Sequence, residues 1–240
     1  MDWAVITNPG TRQVNEDSVG VIEAQDMHCF IVADGLGGHG KGDIASGLAV
    51  SAFAKTFQES SEPMLDRMKH SFEQAQKMIL DEQRKNHAQM QMKTTVTALA
   101  VSNDEILWAH IGDTRLYEFK YHWIRTRTVD HSVPQMLVMA KEIKENEIRN
   151  HPDRNKLLRV LGVSGEAPRY EISKTRRRTK HQAFLLCSDG FWELILEKEM
   201  QQCLKKAENV QQWLDEMVKI VCQRGENTEM DNYTAVGVWL

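Results

Sequence analysis

The first thirty-five residues alternate short apolar runs with polar turns. The runs read WAVIT, SVGVIEA and MHCFIVA, and a turn is expected at Gln25 and Asp26. Short runs rich in β-branched residues and bounded by turn residues are typical of β-strands. We therefore predict three strands at the start of the chain.

Helical periodicity replaces this pattern in the next segment. The residues from about Gly42 to Gln58 predict a first helix, and a second begins near Pro63 and continues toward His87. In the second helix apolar residues recur every three or four positions, which gives one face for the core. These residues are Leu65, Met68, Phe72, Ala75 and Ile79.

A second β block follows, with the runs TTVTALAVS, EILWAHIG, RLYEFK and HWIRTRTV. Their short spacing and turn signals indicate antiparallel hairpins. Residues 132–162 are charged and short-helical, and we predict a strand near residues 169–174, a strand at AFLLCSD, two helices across 190–223 and a last strand at YTAVGVW. This order predicts an α+β fold with antiparallel sheets and helices packed outside them.

Composition excludes several classes of protein. The 240 residues carry a formal net charge of −4, which gives no global attraction to nucleic acid or an anionic membrane. No apolar run reaches the roughly 18 residues of a membrane span, and the N-terminus lacks the pattern of a secretory signal. The four cysteines form no CxxC pair. We expect reduced cysteines and a cytoplasmic protein.

A glycine-rich stretch, DGLGGHGKGD, lies between a predicted strand and a predicted helix. This is the layout of a nucleotide-binding P-loop, but Gly42 stands where such a loop needs a hydroxyl for Mg²⁺. A turn without any ligand is equally open at this point. The antiparallel order argues against the P-loop, since P-loop folds have parallel sheets.

Four aspartates lie at strand ends. Asp34, Asp113 and Asp189 each end an apolar run, and Asp231 precedes the last one. In antiparallel neighbours these positions meet at one end of the sheet. Each aspartate alone could be only a turn or capping residue. Together, without lysines among them, they would repel one another unless cations lay between them.

Oxygen ligands without a Cys/His cluster point to Mg²⁺ or Mn²⁺. Two such ions could hold a bridging water and direct it at a phosphorus atom. On this interpretation the glycine loop binds ions, and Gly35 offers its carbonyl. The stretch TNPGTRQVNEDS adds Arg12, suited to bind a phosphate, and Glu16 and Asp17, suited to hydrogen-bond metal waters. A solvated charged turn is the alternative for this stretch.

With these motifs the chain resembles the metal-dependent protein serine/threonine phosphatases, the PPM or protein phosphatase 2C-like family, in its compact bacterial form. The matching stretches occur in the family's order and span nearly all of residues 1–240. They are GTRQVNED, VADGLGGHGKGDIAS, TTVTAL, AHIGDTRLY, VDHS, LLRVLG, LLCSDGFWEL and DNYTAVGV.

The resemblance implies an α-β-β-α sandwich of two mainly antiparallel sheets flanked by helices. It implies one catalytic domain over residues 1–240, with a variable flap over about 132–160. The activity implied is hydrolysis of phosphoserine and phosphothreonine in proteins, by a water or hydroxide that bridges two Mg²⁺ or Mn²⁺ ions and attacks phosphorus directly, without a phosphoenzyme. We expect a monomer that acts on phosphorylated proteins, the products of a serine/threonine kinase.

The same resemblance implies the metal ligands. By position, Asp34 would bridge both tightly bound metals, with the Gly35 carbonyl on one of them. Asp189 and Asp231 would bind the second metal. Asp113 would bind a weaker third ion, shared with Asp189.

Beside the metals, Arg12 corresponds to the phosphate-binding arginine of the family. Glu16 and Asp17 correspond to the acidic pair around the metal waters. The resemblance therefore implies that Asp17 belongs to the metal site and that the catalytic residues are Arg12, Glu16, Asp34, Asp189 and Asp231.

Two departures from the family leave questions open. Animal members have a histidine, proposed as the general acid, where this chain has Leu36. His39, His131 or a metal-bound water could replace it, and we favour the water. The second departure is a basic stretch, KTRRRTKHQ, before the strand at LLCSDG. We favour a solvated, edge-protecting face over a docking site for an acidic partner.

Two other functions are compatible with part of this pattern. A catalytically silent module that binds phosphoproteins would have lost a metal aspartate, and all four are present. A hydrolase of small phosphate esters would share the whole metal site, and only substrate profiling separates it from a protein phosphatase.

Overall fold

The computed structural model describes residues 1–24, 27–37, 41–88, 91–165 and 167–240. The strands are β1 Asp2–Asn8, β2 Asp17–Glu23, β3 Met27–Leu36, β4 Lys93–Thr94, β5 Val96–Ser102, β6 Glu105–Ile111, β7 Arg115–Lys120, β8 Trp123–Arg127, β9 Glu171–Ile172, β10 Arg176–Arg177, β11 Gln182–Cys187 and β12 Tyr233–Trp239. The helices are α1 Gly42–Glu59, α2 Met64–Lys85, α3 Val133–Met139, α4 Asp189–Trp192, α5 Glu197–Lys206, α6 Val210–Gly225 and a 3₁₀ helix Glu145–Asn150.

These strands form two sheets, and all the strand pairs described here are antiparallel. One sheet has the order β1-β12-β11-β7-β8. The other has the order β10-β6-β5-β3-β2, with β4 paired to β3 and β9 to β6. The antiparallel prediction is therefore confirmed, and the P-loop interpretation is wrong because it requires a parallel sheet.

The sheets pack face to face, with helices on both outer sides. Phe30 and Leu99 of one sheet and Leu116 and Phe184 of the other form a fully buried layer between them. Helices α1 and α2 cover one outer face, and α5 and α6 cover the other. Each buried side chain of this size contributes about 2 kcal/mol relative to exposure. This is the expected α-β-β-α sandwich.

Strand β3 extends further than its apolar run. The prediction ended it at Ala33, but the strand continues through Leu36 because Gly35 and Leu36 pair with β4. Asp34 therefore lies inside a strand. The turn predicted at Gln25 and Asp26 lies outside the described residues.

The last third has three helices between 189 and 225 where two were predicted. The short helix α4 ends at Trp192, and α5 begins anew with the Leu196 N–H donating to Glu199 at 2.8 Å. Asn209 then caps α6 by accepting from the Gln212 N–H at 2.9 Å. Such caps interrupt a helical pattern without glycine or proline.

The four cysteines are free thiols, and Cys29 and Cys187 are buried, which raises their pKa. Among the helices that the structure describes, none has the length and apolar character needed to cross a membrane.

Candidate active site

The predicted aspartates meet in one pocket of about 440 Å³ at one end of the sandwich. A larger groove of about 690 Å³ lies between α1 and α2, but it contains none of the predicted site residues. Seven of the eight predicted site residues line the smaller pocket, and these are Arg12, Glu16, Asp34, Gly35, Asp113, Asp189 and Asp231.

Asp17, the eighth residue, is buried just behind this pocket. It begins β2 and lies directly opposite Asp34 in the antiparallel ladder. The Ser188 hydroxyl donates to Asp17 Oδ2 at 2.7 Å. Ser188 was not singled out in the sequence, although it directly precedes Asp189. It fixes the Asp17 carboxyl against the start of α4.

The backbone around Asp34 is held by threonines. The Thr95 hydroxyl accepts from the Asp34 N–H at 3.1 Å, and the Thr94 hydroxyl donates to the Asp34 carbonyl at 2.8 Å. Gly35 is required by close packing, since a Cβ there would lie 2.2 Å from the carbonyl oxygen of Gly42. The end of β3 can therefore lie against the start of α1 only with glycine at this position.

Asp113 is placed by a tight turn after β6. Gly112 has φ +100°, and a Cβ there would lie 2.5 Å from the Thr95 side chain. The indole N–H of Trp192 donates to the Asp113 carbonyl at 3.0 Å. Trp192 therefore connects the Asp113 turn to helix α4, which begins with Asp189. Apart from the tryptophan that follows SDG, no pattern in the sequence predicts this contact.

Asp231 is the most exposed of the four aspartates and is paired with a cation. Arg12 Nη2 donates to Asp231 Oδ2 at 3.2 Å, and both side chains are about half exposed. Asn232, which had no predicted role, donates to the carbonyls of Pro9 and Val14 at 3.0 Å and accepts from the Glu16 N–H at 2.8 Å. It thereby anchors the loop that carries Arg12.

The carboxyl groups repel one another. Burial and the neighbouring carboxylates raise the pKa of Asp34 and of Asp113 well above the ordinary value. Burial, followed by the charge of Asp231, raises the pKa of Asp189. Burial raises the pKa of Asp17 to about 7. The ionised form of carboxylates held this close together becomes favourable when divalent cations neutralise their charge. The donor set therefore fits Mg²⁺ or Mn²⁺.

Glu16 lies at the rim of this group. Burial raises its pKa, and the Gly42 N–H, which donates to Glu16 Oε1 at 3.2 Å, acts in the opposite direction. Its backbone carbonyl accepts from the Gly35 N–H at 3.1 Å. Glu16 thus accepts hydrogen bonds from Gly35 near the end of β3 and from Gly42 at the start of α1.

A further acidic side chain lies behind Asp189 and was not predicted. Burial, and then the charge of Asp189, raises the pKa of Glu193 to about 7. Arg154, from the segment 132–160, forms an ion pair with Glu193. Asn155 and Leu157 of the same segment line the pocket. The predicted flap region therefore contacts the site directly.

Of the two histidines considered as general acids, His131 can be placed, and it is not among the residues that line the pocket. His131 is buried, and its Nδ1 accepts from the Gly112 N–H at 3.1 Å. Burial lowers its pKa to about 4. His39 lies outside the described residues. Leu36, the position at which the resemblance implies a histidine in animal members, lines the pocket.

His131 also belongs to a group of possible metal ligands with His110 and Glu171, whose ligand atoms lie within 4.8 Å of one another. The two imidazole rings stack nearly parallel, at 8° and 4.7 Å between centroids. Because an imidazole binds a metal in its own ring plane, one ion cannot satisfy both rings. His110 Nε2 lies 2.8 Å from the Val129 carbonyl and His131 Nε2 lies 3.2 Å from Glu171, so the group is hydrogen-bonded without an ion.

Comparison with known proteins identifies the family. A family model for protein phosphatase 2C matches residues 10–233. The serine/threonine phosphatase stp of Listeria monocytogenes is 32% identical over 212 residues, which cover 85% of this chain and 82% of the relative. The protein phosphatase PhpP of Streptococcus pneumoniae is 27% identical over 173 residues, covering 69% of this chain and 70% of the relative.

Solved structures agree with this assignment. The serine/threonine phosphatase PstP/Ppp of Mycobacterium tuberculosis has a TM-score of 0.85 and 26% identity and covers 98% of this chain and 97% of that chain. The Streptococcus agalactiae serine/threonine phosphatase, at 24% identity and a TM-score of 0.88, covers 100% of this chain and 99% of its own and shares the fold. The expected fold and family are confirmed: the chain belongs to the protein phosphatase 2C family of metal-dependent serine/threonine phosphatases.

Proposed function

We propose that the chain removes phosphate from phosphoserine and phosphothreonine in proteins with two Mn²⁺ or Mg²⁺ ions and a weaker third. The observation that supports this most strongly is the group of four aspartates in one pocket, with burial and mutual repulsion raising the pKa of Asp34, Asp113 and Asp189. A solved relative, the catalytic domain of PstP at 25% identity, holds two manganese ions.

Each ion would have its own set of ligands. Asp34 and the Gly35 carbonyl would hold the first ion, with Asp34 shared by the second. Asp189 and Asp231 would complete the second, and Asp113 with Asp189 would hold the third. When bound, the ions would lower the pKa of a water that attacks phosphorus directly, without a phosphoenzyme.

Arg12 would bind the phosphoryl group. Its guanidinium is half exposed at the pocket wall and pairs with Asp231 in a single hydrogen bond, which leaves other N–H groups to donate to phosphate oxygens. Glu16 and Asp17 would orient waters on the metals, and Ser188 would keep Asp17 in position.

We further propose that residues 1–240 form one catalytic domain, a monomer acting in the cytoplasm on substrates of a serine/threonine kinase. Residues 132–160 would act as its flap over the pocket. The pocket positions of Asn155 and Leu157 and the ion pair between Arg154 and Glu193 support a role of this segment at the site.

Phosphate release from phosphothreonine peptides with Mn²⁺ tests the proposal. Phosphotyrosine peptides and p-nitrophenyl phosphate serve as parallel substrates, and Asp231→Asn as the matched inactive variant. Turnover should disappear in EDTA, return with Mn²⁺ and fall at least about 10²-fold in the variant. Faster specific turnover of small esters than of phosphothreonine peptides would instead favour a small-ester hydrolase. Metal-independent turnover would contradict the site.

A further inference from the structure

A basic and aromatic surface lies at the end of the sandwich away from the metal pocket. Strand β8 is one of the two edge strands of its sheet, and β10 is one of the two edge strands of the other. The turn after β7 and the turn before β11 lie side by side, since the Tyr121 N–H donates to the His181 carbonyl at 2.8 Å. We call this surface the edge patch; its residues are Tyr121, Trp123, Arg125, Arg177, Lys180 and His181.

In the ladder between β10 and β6, Arg177 lies opposite Glu105, but no ion pair joins the two side chains. Within the described ranges, Arg125, Arg177 and Lys180 form no ion pair. Arg176 differs, because it pairs with Glu118 at 2.6 Å and stacks over Trp108 at 4.3 Å. Arg176 therefore stabilises the fold, while its neighbours keep their charge available in a chain with a net charge of −4.

The edge patch also exposes two large aromatic side chains. Tyr121 is 62% exposed and Trp123 is 60% exposed. Tyr121 stacks on His181 at 5.0 Å, and both residues have positive φ, 58° and 61°. The two turns thus place the Tyr121 and His181 rings against each other. Protection of the sheet edge accounts for the charges, but it does not require exposed Trp and Tyr, which with Arg are the residues that dominate binding energy at interfaces.

We propose that the edge patch docks an acidic segment of a partner polypeptide. Its unpaired cations complement carboxylates, and Tyr121 and Trp123 supply rigid apolar contacts. A polypeptide fits better than a nucleic acid, because three unpaired cations make a short track and the rest of the chain is net negative.

The position of the patch suggests which partners gain from it. Tyr121 lies eight residues beyond Asp113 along β7, which corresponds to about 25 Å of extended chain. A substrate with an acidic stretch about ten or more residues from its phosphorylated residue can reach both places at once. This extension to substrates rests on the proposed phosphatase function; the binding itself does not.

Binding is measured directly by fluorescence anisotropy with a labelled twelve-residue Asp/Glu-rich peptide and the full chain, with and without EDTA. The double variant Arg125→Glu/Arg177→Glu and the single variant Trp123→Ala should each weaken binding at least about tenfold. The matched control Lys55→Glu/Lys198→Glu makes the same change in charge on exposed helix positions and should stay within about twofold. Hydrolysis of p-nitrophenyl phosphate should be unchanged in all of them.

Three outcomes would overturn the proposal. Equal binding by the wild type and both patch variants would exclude the patch, and absence of binding would exclude the ligand class. Tighter binding of a twelve-nucleotide oligothymidine than of the peptide, lost in the same variants, would show a nucleic-acid surface instead.

A kinetic arm tests the link to substrates. Phosphothreonine peptides with an acidic or a neutral tail, placed twelve residues away, should share one kcat. The acidic tail should lower KM at least about fivefold for the wild type but not for Arg125→Glu/Arg177→Glu. If neither peptide is hydrolysed, the proposed function fails while the binding result stands by itself. Hydrolysis of both with equal KM would overturn the link to substrates.

Discussion

Asp130 and Asp113 are equally inaccessible aspartates with opposite surroundings. Asp130 is 4% exposed and Asp113 is 5% exposed, and each follows a strand end. Asp130 accepts two hydrogen bonds from the buried Arg115, at 2.9 and 2.6 Å, and one from Arg127 at 3.3 Å. Asp113 instead faces Asp189, and burial raises its pKa well above the ordinary value.

The comparison distinguishes carboxylates whose charge is neutralised by arginine side chains, and which stabilise the fold, from carboxylates that need a bound cation. Arg115 is fixed on both sides, because its guanidinium also stacks over Trp192 at 3.4 Å. Asp130 therefore has its charge compensated within the chain. Among the described residues, the ion pair between Arg12 and Asp231 is the one salt bridge of the four pocket aspartates, so we expect bound ions to compensate the rest of their charge. Removing the charge of Asp130 should therefore lower the free energy of unfolding, whereas removing the charge of a pocket aspartate should not lower it in the metal-free protein.

The largest effect is expected for Asp130→Ala. Loss of this carboxylate leaves buried Arg115 with the more distant Glu197 carboxylate, 3.9 Å away, as its acidic partner, and removal of one member of such a buried pair costs about 3–5 kcal/mol in the free energy of unfolding. Urea unfolding of the Mn²⁺-loaded protein measures this. Asp66→Ala is the matched control, because its pair with Lys69 is about half exposed and should contribute less than about 1 kcal/mol. Equal losses for both variants would contradict the distinction.

The second effect concerns Asp34→Asn. Turnover should fall at least about 10²-fold, since a carboxylate proposed to hold both metals is lost. In EDTA the same variant should unfold at an equal or higher temperature than the wild type, because one member of a repelling group becomes neutral. Thermal unfolding with and without Mn²⁺ checks both statements. A variant that lost stability in EDTA would place Asp34 with Asp130 as a structural carboxylate.

The sequence predicted most of the fold and seven of the pocket residues. Apolar runs and strand-end aspartates are local signals that can be read from the sequence. Antiparallel pairing then brings such strand ends together, as the position of Asp17 opposite Asp34 illustrates. The contacts that hold the site in position were not predictable in this way. Trp192 reaches Asp113 across 79 residues and Ser188 reaches Asp17 across 171. Such side-chain hydrogen bonds depend on rotamers and packing that no periodicity encodes.

The third effect is a pH dependence of the metal-free protein. The folded pKa of Asp17 is raised to about 7, and those of Asp34 and Asp113 are raised as well. A raised carboxyl pKa favours folding while the group is protonated, so its contribution is complete below about pH 4 and is lost as pH rises through about 7. In EDTA the free energy of unfolding should decrease over this window by at least about 1.4 kcal/mol, the value of one pKa unit.

Mn²⁺ is the control for this prediction. Bound ions would favour the ionised carboxylates, so the metal-loaded protein should not lose stability between pH 5 and 7. Urea unfolding at fixed ionic strength, with EDTA or Mn²⁺, gives both curves. Parallel curves would show that the pocket carboxyls do not govern the stability of the metal-free protein.

The smallest effect is expected for His131→Ala, at a residue that joins the two regions. His131 directly follows Asp130, its backbone N–H donates to the Gly112 carbonyl at 2.9 Å, and its Nδ1 accepts from the Gly112 N–H at 3.1 Å. The backbone bond survives in the variant, so the Asp113 turn should remain. Turnover should fall less than about tenfold, and by the same factor for p-nitrophenyl phosphate and a phosphothreonine peptide, because a buried neutral imidazole cannot protonate the leaving oxygen. The pH profile should keep its limbs. A loss of a hundredfold or more confined to the peptide, with one limb gone, would identify His131 as the acid and assign the site a proton donor that moves into the pocket.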